Sequence, residues 1–274
     1  MKVQDLYIKL KKIEETDENK SVLKILIKFV LEKDYALVSQ EDIEIEDKNK
    51  IEELYKEYLE GKPVQYITKE SYFLENKFYV DERVLIPRFA TEDVVLKAVE
   101  YIDNEIESIA DICTGSGVIA VTLKKMFPNI RVIATDISKD ALEVCDINRR
   151  NIANGVELYQ GDLLRPLIEN NIKVDMIVSN PPYIEEDYQL DKRVRDYEPK
   201  LALYSGKDGT DHYKKILNEV KDVLNPQGIV VFEIGFNQRE KLLSIIDEIY
   251  KNEVEVEFFK DLEDNDRICV IKFV

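Results

Sequence analysis

Between residues 22 and 30 the apolar side chains Val22, Ile25, Leu26, Phe29 and Val30 recur at the i, i+3, i+4, i+7, i+8 spacing of one helix face. Ile51, Leu54, Tyr55, Tyr58 and Leu59 repeat it. Gly61 then supplies a left-handed helix stop, with Pro63 just beyond. The acidic run EDIEIEDKNKIEE between the two stripes reads as a solvated helix approach. Residues 1–70 are therefore expected to form a small helical domain, too small for an enzyme and suited to recognition or docking. In SYFLENKFYVDERVLIPR, two β-prone runs flank Glu75-Asn76, which predicts a hairpin within a linker over 71–90.

From about residue 91 the period alternates between strand and helix. Ser108–Cys113, Arg131–Asp136, Glu157–Gln160, Val174–Ser179 and Gly228–Ile234 are short apolar runs. Helical patterns over Val118–Phe127, Lys139–Arg150 and His212–Leu224 lie between them. Strands apolar on both faces, with helices between, call for a mostly parallel sheet covered on both sides. Val254–Phe259 and Arg267–Val274 close the chain as an antiparallel edge hairpin. The predicted class is α/β, a doubly wound domain over 91–274. No internal repeat or low-complexity segment is visible.

Composition narrows the chemistry. Lys and Arg number 39 against 56 Asp and Glu, a formal charge of −17. That balance disfavours a broad phosphate-neutralising face and hence a nucleic-acid substrate. One His and three scattered Cys, with no CxxC pair, provide neither a common zinc site nor a disulfide framework. No metal is expected, and imidazole catalysis could rest only on His212. His212 opens a predicted helix, where a surface or locally bonded role is expected. The charged N-terminus is unlike a signal peptide, and no run approaches the roughly 18 apolar residues of a membrane span. A cytoplasmic protein with buried reduced thiols is expected.

Ligands of such sheets bind beyond the carboxyl ends of the strands, near the switch in strand order. Here the first strand runs into Asp111-Ile112-Cys113-Thr114-Gly115-Ser116-Gly117 and a helix follows at once. The two glycines permit close backbone approach, and the helix start offers free N–H groups. Asp136 ends the second strand, where a carboxylate can bind both hydroxyls of a ribose. Asp162 ends the third, where an acceptor can meet an adenine amino group. Gly115, Gly117 and Ala120 also fit the dinucleotide fingerprint, so that reading and an unliganded tight turn both stay open. S-adenosylmethionine is favoured because Asp111 could meet an ammonium and would repel a pyrophosphate.

The fourth strand runs into Asn180-Pro181-Pro182-Tyr183. Two prolines after a strand can simply make a turn. A functional reading explains all four residues. The Asn180 amide oxygen and the Pro181 carbonyl can accept from one planar –NH2 group, the prolines add no competing donors, and Tyr183 offers a flat face. An amide or aromatic amino nitrogen is a poor nucleophile because its lone pair is delocalised. Pinning both N–H bonds favours a pyramidal nitrogen aimed at a sulfonium methyl, so that positioning and electrostatics drive an in-line displacement.

In this order and spacing, DICTGSG, ATDIS, GDLL and VSNPPYI resemble the amino-methyltransferases of the Rossmann-like class I S-adenosylmethionine-dependent fold. GKPVQYIT, VLIPRFATE, YEPKLALYSGKDGTDHYKKI, FEIGFNQ and NDRI narrow the resemblance to the HemK/PrmC-type glutamine methyltransferases that modify peptide-chain release factors. The resemblance runs from about Gly61 to the C-terminus. It implies methyl transfer from S-adenosylmethionine to the side-chain amide nitrogen of the glutamine in a release factor's Gly-Gly-Gln motif, with the helical N-terminus docking the release factor. A monomer acting on protein, with no membrane partner, is expected. Asn180, Pro181, Pro182 and Tyr183 would be catalytic and hold substrate with Arg88 and Thr91. Asp111, Cys113, Thr114, Gly115, Ser116, Gly117, Asp136, Ile137, Asp162, Leu163 and Asn180 would hold the cofactor.

Three positions depart from the family pattern. Phe89-Ala90 stands for a proline-glutamate pair, Cys113 for a common glycine, and Lys69 for the glycine after QYIT. The alternatives are a ribosomal-protein glutamine methyltransferase, an N6-adenine nucleic-acid methyltransferase using the same Asn-Pro-Pro-aromatic grip, and a catalytically silent module that binds a translation factor.

Overall fold

The computed structural model describes residues 1–251 and 253–274, which divide into two compact units. The first comprises Met1–Glu70 with Asp191–Tyr197, and the second comprises Ser71–Leu190 with Glu198–Val274.

The first unit contains α1 (Val3–Lys11), α2 (Asp17–Leu31), α3 (Tyr35–Val38), α4 (Ile45–Leu59), α5 (Val64–Thr68) and α10 (Lys192–Tyr197). Thr16 caps α2 by accepting the Asn19 N–H at 3.1 Å. The α4 stripe of Ile51, Leu54, Tyr55 and Tyr58 is buried as the spacing predicts, and Gly61 takes the left-handed stop at φ +108°. The α2 stripe is rotated by one position. Val22, Leu23, Leu26 and Ile27 are buried, whereas Ile25 and Phe29 are 45% and 39% exposed. Packing against both α1 and α4 selects the stripe that faces the two neighbours at once. The returning α10 is fastened by Arg193, whose guanidinium lies 4.6 Å from the Tyr58 ring centroid and pairs with Glu18. Glu18 also accepts the Tyr58 hydroxyl at 2.7 Å.

The second unit opens with the hairpin β1 (Glu70–Phe73) and β2 (Asn76–Tyr79). Its turn residues are Leu74 and Glu75, at φ +40° and +63°, one residue earlier than expected. Asn76 instead begins β2 and locks the turn by donating its side-chain amide to the Leu74 carbonyl at 2.8 Å. Phe73 and Phe78 meet edge to face and belong to this unit's core.

The remaining elements are α6 (Phe89–Glu100), β3 (Ser108–Ile112), α7 (Val118–Met126), β4 (Arg131–Asp136), α8 (Lys139–Ile152), β5 (Val156–Gln160), α9 (Arg165–Glu169), β6 (Val174–Ser179), α11 (Asp211–Glu219), β7 (Leu224–Glu233), α12 (Arg239–Tyr250), β8 (Val254–Lys260) and β9 (Asp266–Phe273). Seven strands pair in the order β5-β4-β3-β6-β7-β9-β8. The first five are parallel, β9 is antiparallel to β7, and β8 is antiparallel to β9. The doubly wound sheet with its antiparallel C-terminal pair is thus the architecture the alternating pattern predicts.

Side-chain alternation explains the two cores. Ala110, Ile112, Ile133 and Ile177 face one side, and Ile109, Val132, Ala134, Met176 and Val178 the other. Some boundaries differ from expectation. Cys113 has left β3, with φ +63°. The helix beginning near His212 ends at Glu219, and Leu224 already pairs with Val174 in β7 before a register shift. No helix among the described residues is long and apolar enough to cross a membrane.

The β3 strand order reverses between β4 and β6, and the chain leaves β3 through Gly115 and Gly117. These glycines have different reasons. A Cβ on Gly115 (φ +55°) would meet nothing within 4 Å, whereas one on Gly117 (φ +84°) would lie 2.5 Å from the Cys145 sulfur of α8. Gly117 therefore lets α7 start hard against α8. Gly117→Ala should lower the unfolding free energy by at least about 2 kcal/mol, combining overpacking with a left-handed backbone. Gly115→Ala should cost only about 1 kcal/mol, for the backbone alone. Chemical denaturation of both variants checks the difference.

Candidate active site

A cavity of about 270 Å³ opens at the carboxyl ends of β3, β4 and β6, at the reversal of strand order. Among the residues singled out from sequence, Cys113, Gly115, Asp136, Ile137, Asp162, Leu163, Asn180 and Pro182 line it. Asp111, Thr114, Ser116, Gly117, Pro181, Tyr183, Arg88 and Thr91 do not line it, and Tyr183 lines a second cavity with Gln238 and Arg267 instead. Arg83, Leu201, His212 and Lys215 also line the first cavity, although the motifs did not assign them there.

The wall is built around buried carboxylates. Asp111, fully buried, accepts the Thr114 hydroxyl at 2.5 Å and the Ala120 N–H at 3.1 Å on one oxygen, tying the loop to the first turn of α7. Its other oxygen, Oδ1, has no hydrogen-bond partner among the described residues. Burial pushes the carboxyl up to about 7, and the nearby Asp136 adds to the shift against the two hydrogen bonds. Asp136 accepts the Gly115 N–H at 2.9 Å and the Ser138 N–H at 2.8 Å, one on each oxygen. Its burial also raises its proton affinity. Asp162 is the open one of the three, half-exposed and 3.7 Å from Lys215 Nζ. Beside it Leu163 adopts φ +50°, and its carbonyl is held by the Thr135 hydroxyl at 3.1 Å.

The strand end at Asn180 is organised by a residue that the motifs did not single out. Glu233, at the end of β7, is 1% exposed. Its Oε2 accepts the Thr91 hydroxyl at 2.6 Å and its Oε1 the Tyr183 hydroxyl at 3.2 Å. Thr91 has spent its single proton on Glu233, so its oxygen is the acceptor for Asn180 Nδ2 at 3.1 Å. The Asn180 amide is thereby oriented, with Nδ2 occupied and Oδ1 left as the acceptor on a side chain that lines the cavity. Burial raises the Glu233 carboxyl above its ordinary value, while its hydrogen bonds and the charges of Arg267 and Arg88 oppose the shift. The signal in the sequence was one acidic residue inside the apolar run GIVVFEIG.

Gln238 completes the frame. Its Nε2 donates to the Tyr183 carbonyl at 2.8 Å and the Gly209 carbonyl at 3.0 Å, and its Oε1 accepts the Gly235 N–H at 3.0 Å. Pro181 and Pro182 are buried, and Ser179 donates its hydroxyl to the Ile112 carbonyl at 2.6 Å, tying β6 to β3. Arg88 does not reach the Asn180 cluster by hydrogen bonding. Its guanidinium meets the buried Glu198 at 2.5 Å, and Glu198 also accepts the Ile86 N–H. Glu92 is turned to the hairpin, accepting the Leu74 N–H at 3.0 Å. The Phe89 ring, at the departure from the family pattern, is 85% exposed.

The Asp111 shift has a sign that can be tested. Its folded value near 7 lies above the unfolded value near 4, so folding takes up a proton between them. Its contribution to stability therefore falls as pH rises through that window and is level above it. Asp111→Asn should abolish this dependence, so the variant should gain on the parent by a few kcal/mol (order of magnitude) between pH 4 and 7. Denaturant unfolding of both proteins across that range, without ligand, measures the difference.

The chain is similar to known proteins. Residues 92–196 match the family model described as "Methyltransferase small domain". The release factor glutamine methyltransferase of Clostridium acetobutylicum is 37% identical over 283 aligned positions, spanning 98% of this chain and 98% of that protein. That of Bacillus subtilis is 39% identical over 265, spanning 93% and 91%. Among solved structures, the ribosomal protein L11 methylase from Lactobacillus delbrueckii subsp. bulgaricus superposes with a TM-score of 0.52 at 19% identity, over 71% of this chain and 83% of that one, a likeness of fold alone. With identity of this level running along nearly its whole length, the chain belongs to the release factor glutamine methyltransferase family.

Proposed function

We propose that this protein methylates the side-chain amide nitrogen of a glutamine in the Gly-Gly-Gln motif of a peptide-chain release factor, with S-adenosylmethionine as donor. The observation that carries the proposal is the fixed Asn180 amide. With Nδ2 engaged by Thr91, the group offered at the cavity is the acceptor Oδ1, which suits a substrate –NH2 and would repel a carbonyl. Relatives of matching length and name support the choice of substrate.

The cavity wall suits the donor. Gly115 presents open space where any side chain would intrude, and Asp136 lines the wall with lone pairs beyond those given to Gly115 and Ser138. Asp162 and Leu163 would receive the adenine, and Asp136 the ribose hydroxyls. Asp111 does not line the cavity, but its buried Oδ1 has no hydrogen-bond partner among the described residues, and a cationic donor nearby would favour its ionised form. When bound, S-adenosylmethionine supplies a methyl group made electrophilic by its sulfonium.

This chain's own residues then do the positioning. Asn180 Oδ1 and the Pro181 carbonyl accept the two N–H bonds of the glutamine amide, which withdraws its lone pair from the carbonyl and directs it outward. Tyr183 gives the flat amide a face, itself held by Glu233 through its hydroxyl and by Gln238 through its carbonyl. The proline pair adds no donor to compete. The nitrogen is strongly acidic once methylated and gives its proton to water, so no residue needs to be a strong base.

Mass spectrometry of a release factor incubated with enzyme and S-adenosylmethionine should show a gain of one methyl on the Gly-Gly-Gln glutamine. A release factor left unmodified, alongside methylated DNA, RNA or ribosomal protein, would overturn the proposal. Asn180→Ala should still bind the cofactor and lower kcat by about 100-fold or more. Thr91→Val, which frees the Asn180 amide to rotate, should lower kcat by roughly tenfold, the worth of one hydrogen bond.

A further inference from the structure

His212, the single histidine of the chain, opens α11 and shares the cavity wall with Asp162, Leu163 and Lys215. Its Nδ1 lies 2.6 Å from the Ser205 hydroxyl oxygen, which also accepts the backbone N–H of His212 at 3.0 Å. Ser205 is 1% exposed, and its hydroxyl meets no other acceptor among the described residues. A buried hydroxyl proton must be used, so it is donated to Nδ1. Nδ1 is therefore the bare nitrogen, and the ring carries its proton on Nε2. Nε2 makes no hydrogen bond to the protein among the described residues. Burial pulls the imidazole below its ordinary value, and Lys215 adds to this against Asp162 and Asp211, so the neutral form that this tautomer requires is the prevailing one.

Ser205 thus fixes a neutral N–H donor on the wall beside an open carboxylate. A planar base with an exocyclic amine and ring-nitrogen acceptors matches that pair: Asp162 takes the amine, and a donor is wanted for a ring nitrogen. We propose that His212 is an adenine-recognition residue, its Nε2–H donating to a ring nitrogen of the cofactor's base. The proposal rests on the S-adenosylmethionine reading above and extends it to a residue outside the glycine loop and the strand-end aspartates.

Isothermal titration calorimetry with S-adenosylhomocysteine and its 1-deaza, 3-deaza and 7-deaza analogues tests it, on the full chain and on His212→Phe and His212→Gln. The parent should bind one deaza analogue about three- to tenfold more weakly than S-adenosylhomocysteine, the span expected for one hydrogen bond. His212→Phe should lose a similar factor for S-adenosylhomocysteine and no longer distinguish that analogue. His212→Gln, which keeps a side-chain N–H donor, should recover part of the loss. If the parent binds all three analogues as tightly as S-adenosylhomocysteine, or His212→Phe binds like the parent, the role of His212 is overturned and the cofactor reading stands. If S-adenosylhomocysteine fails to bind the parent at all, the cofactor reading falls, and this proposal with it. The analogue series on the parent keeps the test decisive even if the phenylalanine variant does not fold.

Discussion

A carboxylate with almost no contact with water has to find its hydrogen bonds inside the protein, and Glu233 finds them at the strand end where chemistry is proposed to occur. Two hydroxyls, Thr91 from α6 and Tyr183 from the Asn-Pro-Pro-Tyr turn, spend their protons on it. Thr91 is then left only as an acceptor, so the Asn180 amide can sit one way round. One buried charge at the end of β7 thereby orients a side chain at the end of β6 through a residue of α6. Tyr213 and Gln238 reinforce the same corner: the Tyr213 hydroxyl donates to the Glu233 carbonyl at 2.8 Å, and Gln238 clamps the Tyr183 carbonyl. The turn is therefore anchored at both its side chains and its backbone.

The glycine-loop side of the cavity follows the same logic with different donors. Asp111 and Asp136 take backbone and hydroxyl protons from the loop between β3 and α7, so the loop is held by the carboxylates it surrounds. The two glycines divide the work. Gly115 leaves space at the cavity wall, and Gly117 leaves space for Cys145 of the neighbouring helix. Only the first lines the cavity, although both belong to one short motif.

The sheet was readable in the sequence because burial on both faces writes unbroken apolar runs, and the strand-end aspartates stand out where those runs stop. Boundaries were less readable where backbone conformation departs from side-chain type. Cys113 is small and apolar like its strand neighbours yet takes a positive φ, and the hairpin turn falls on Leu74-Glu75 because Asn76 is recruited to bond back. In α2 the helical period was right but the phase was not, since the choice between Ile25 and Leu23 depends on neighbours that only the tertiary structure supplies. At the site, Asn180 to Tyr183 are contiguous and visible as a motif. Their support is not: Thr91 and Glu233 lie 142 residues apart and meet only in the fold. His212 was expected to be at the surface or locally bonded, and it is bonded locally. Its partner Ser205 and its place on the cavity wall could not be inferred from its position in the chain.

Glu233 is expected to act on the proposed methyl transfer through Thr91 and Asn180 and not through the cofactor. The most direct measurement is the kcat of Glu233→Gln in release-factor methylation, set beside its affinity for S-adenosylhomocysteine. A glutamine there can donate to Thr91, which frees the Thr91 proton for Asn180 and turns the amide around. The variant's kcat should be lower by about 100-fold, comparable to losing a preorganised acceptor, with cofactor affinity unchanged. A folded Glu233→Gln protein that turns over at the parent rate would contradict it.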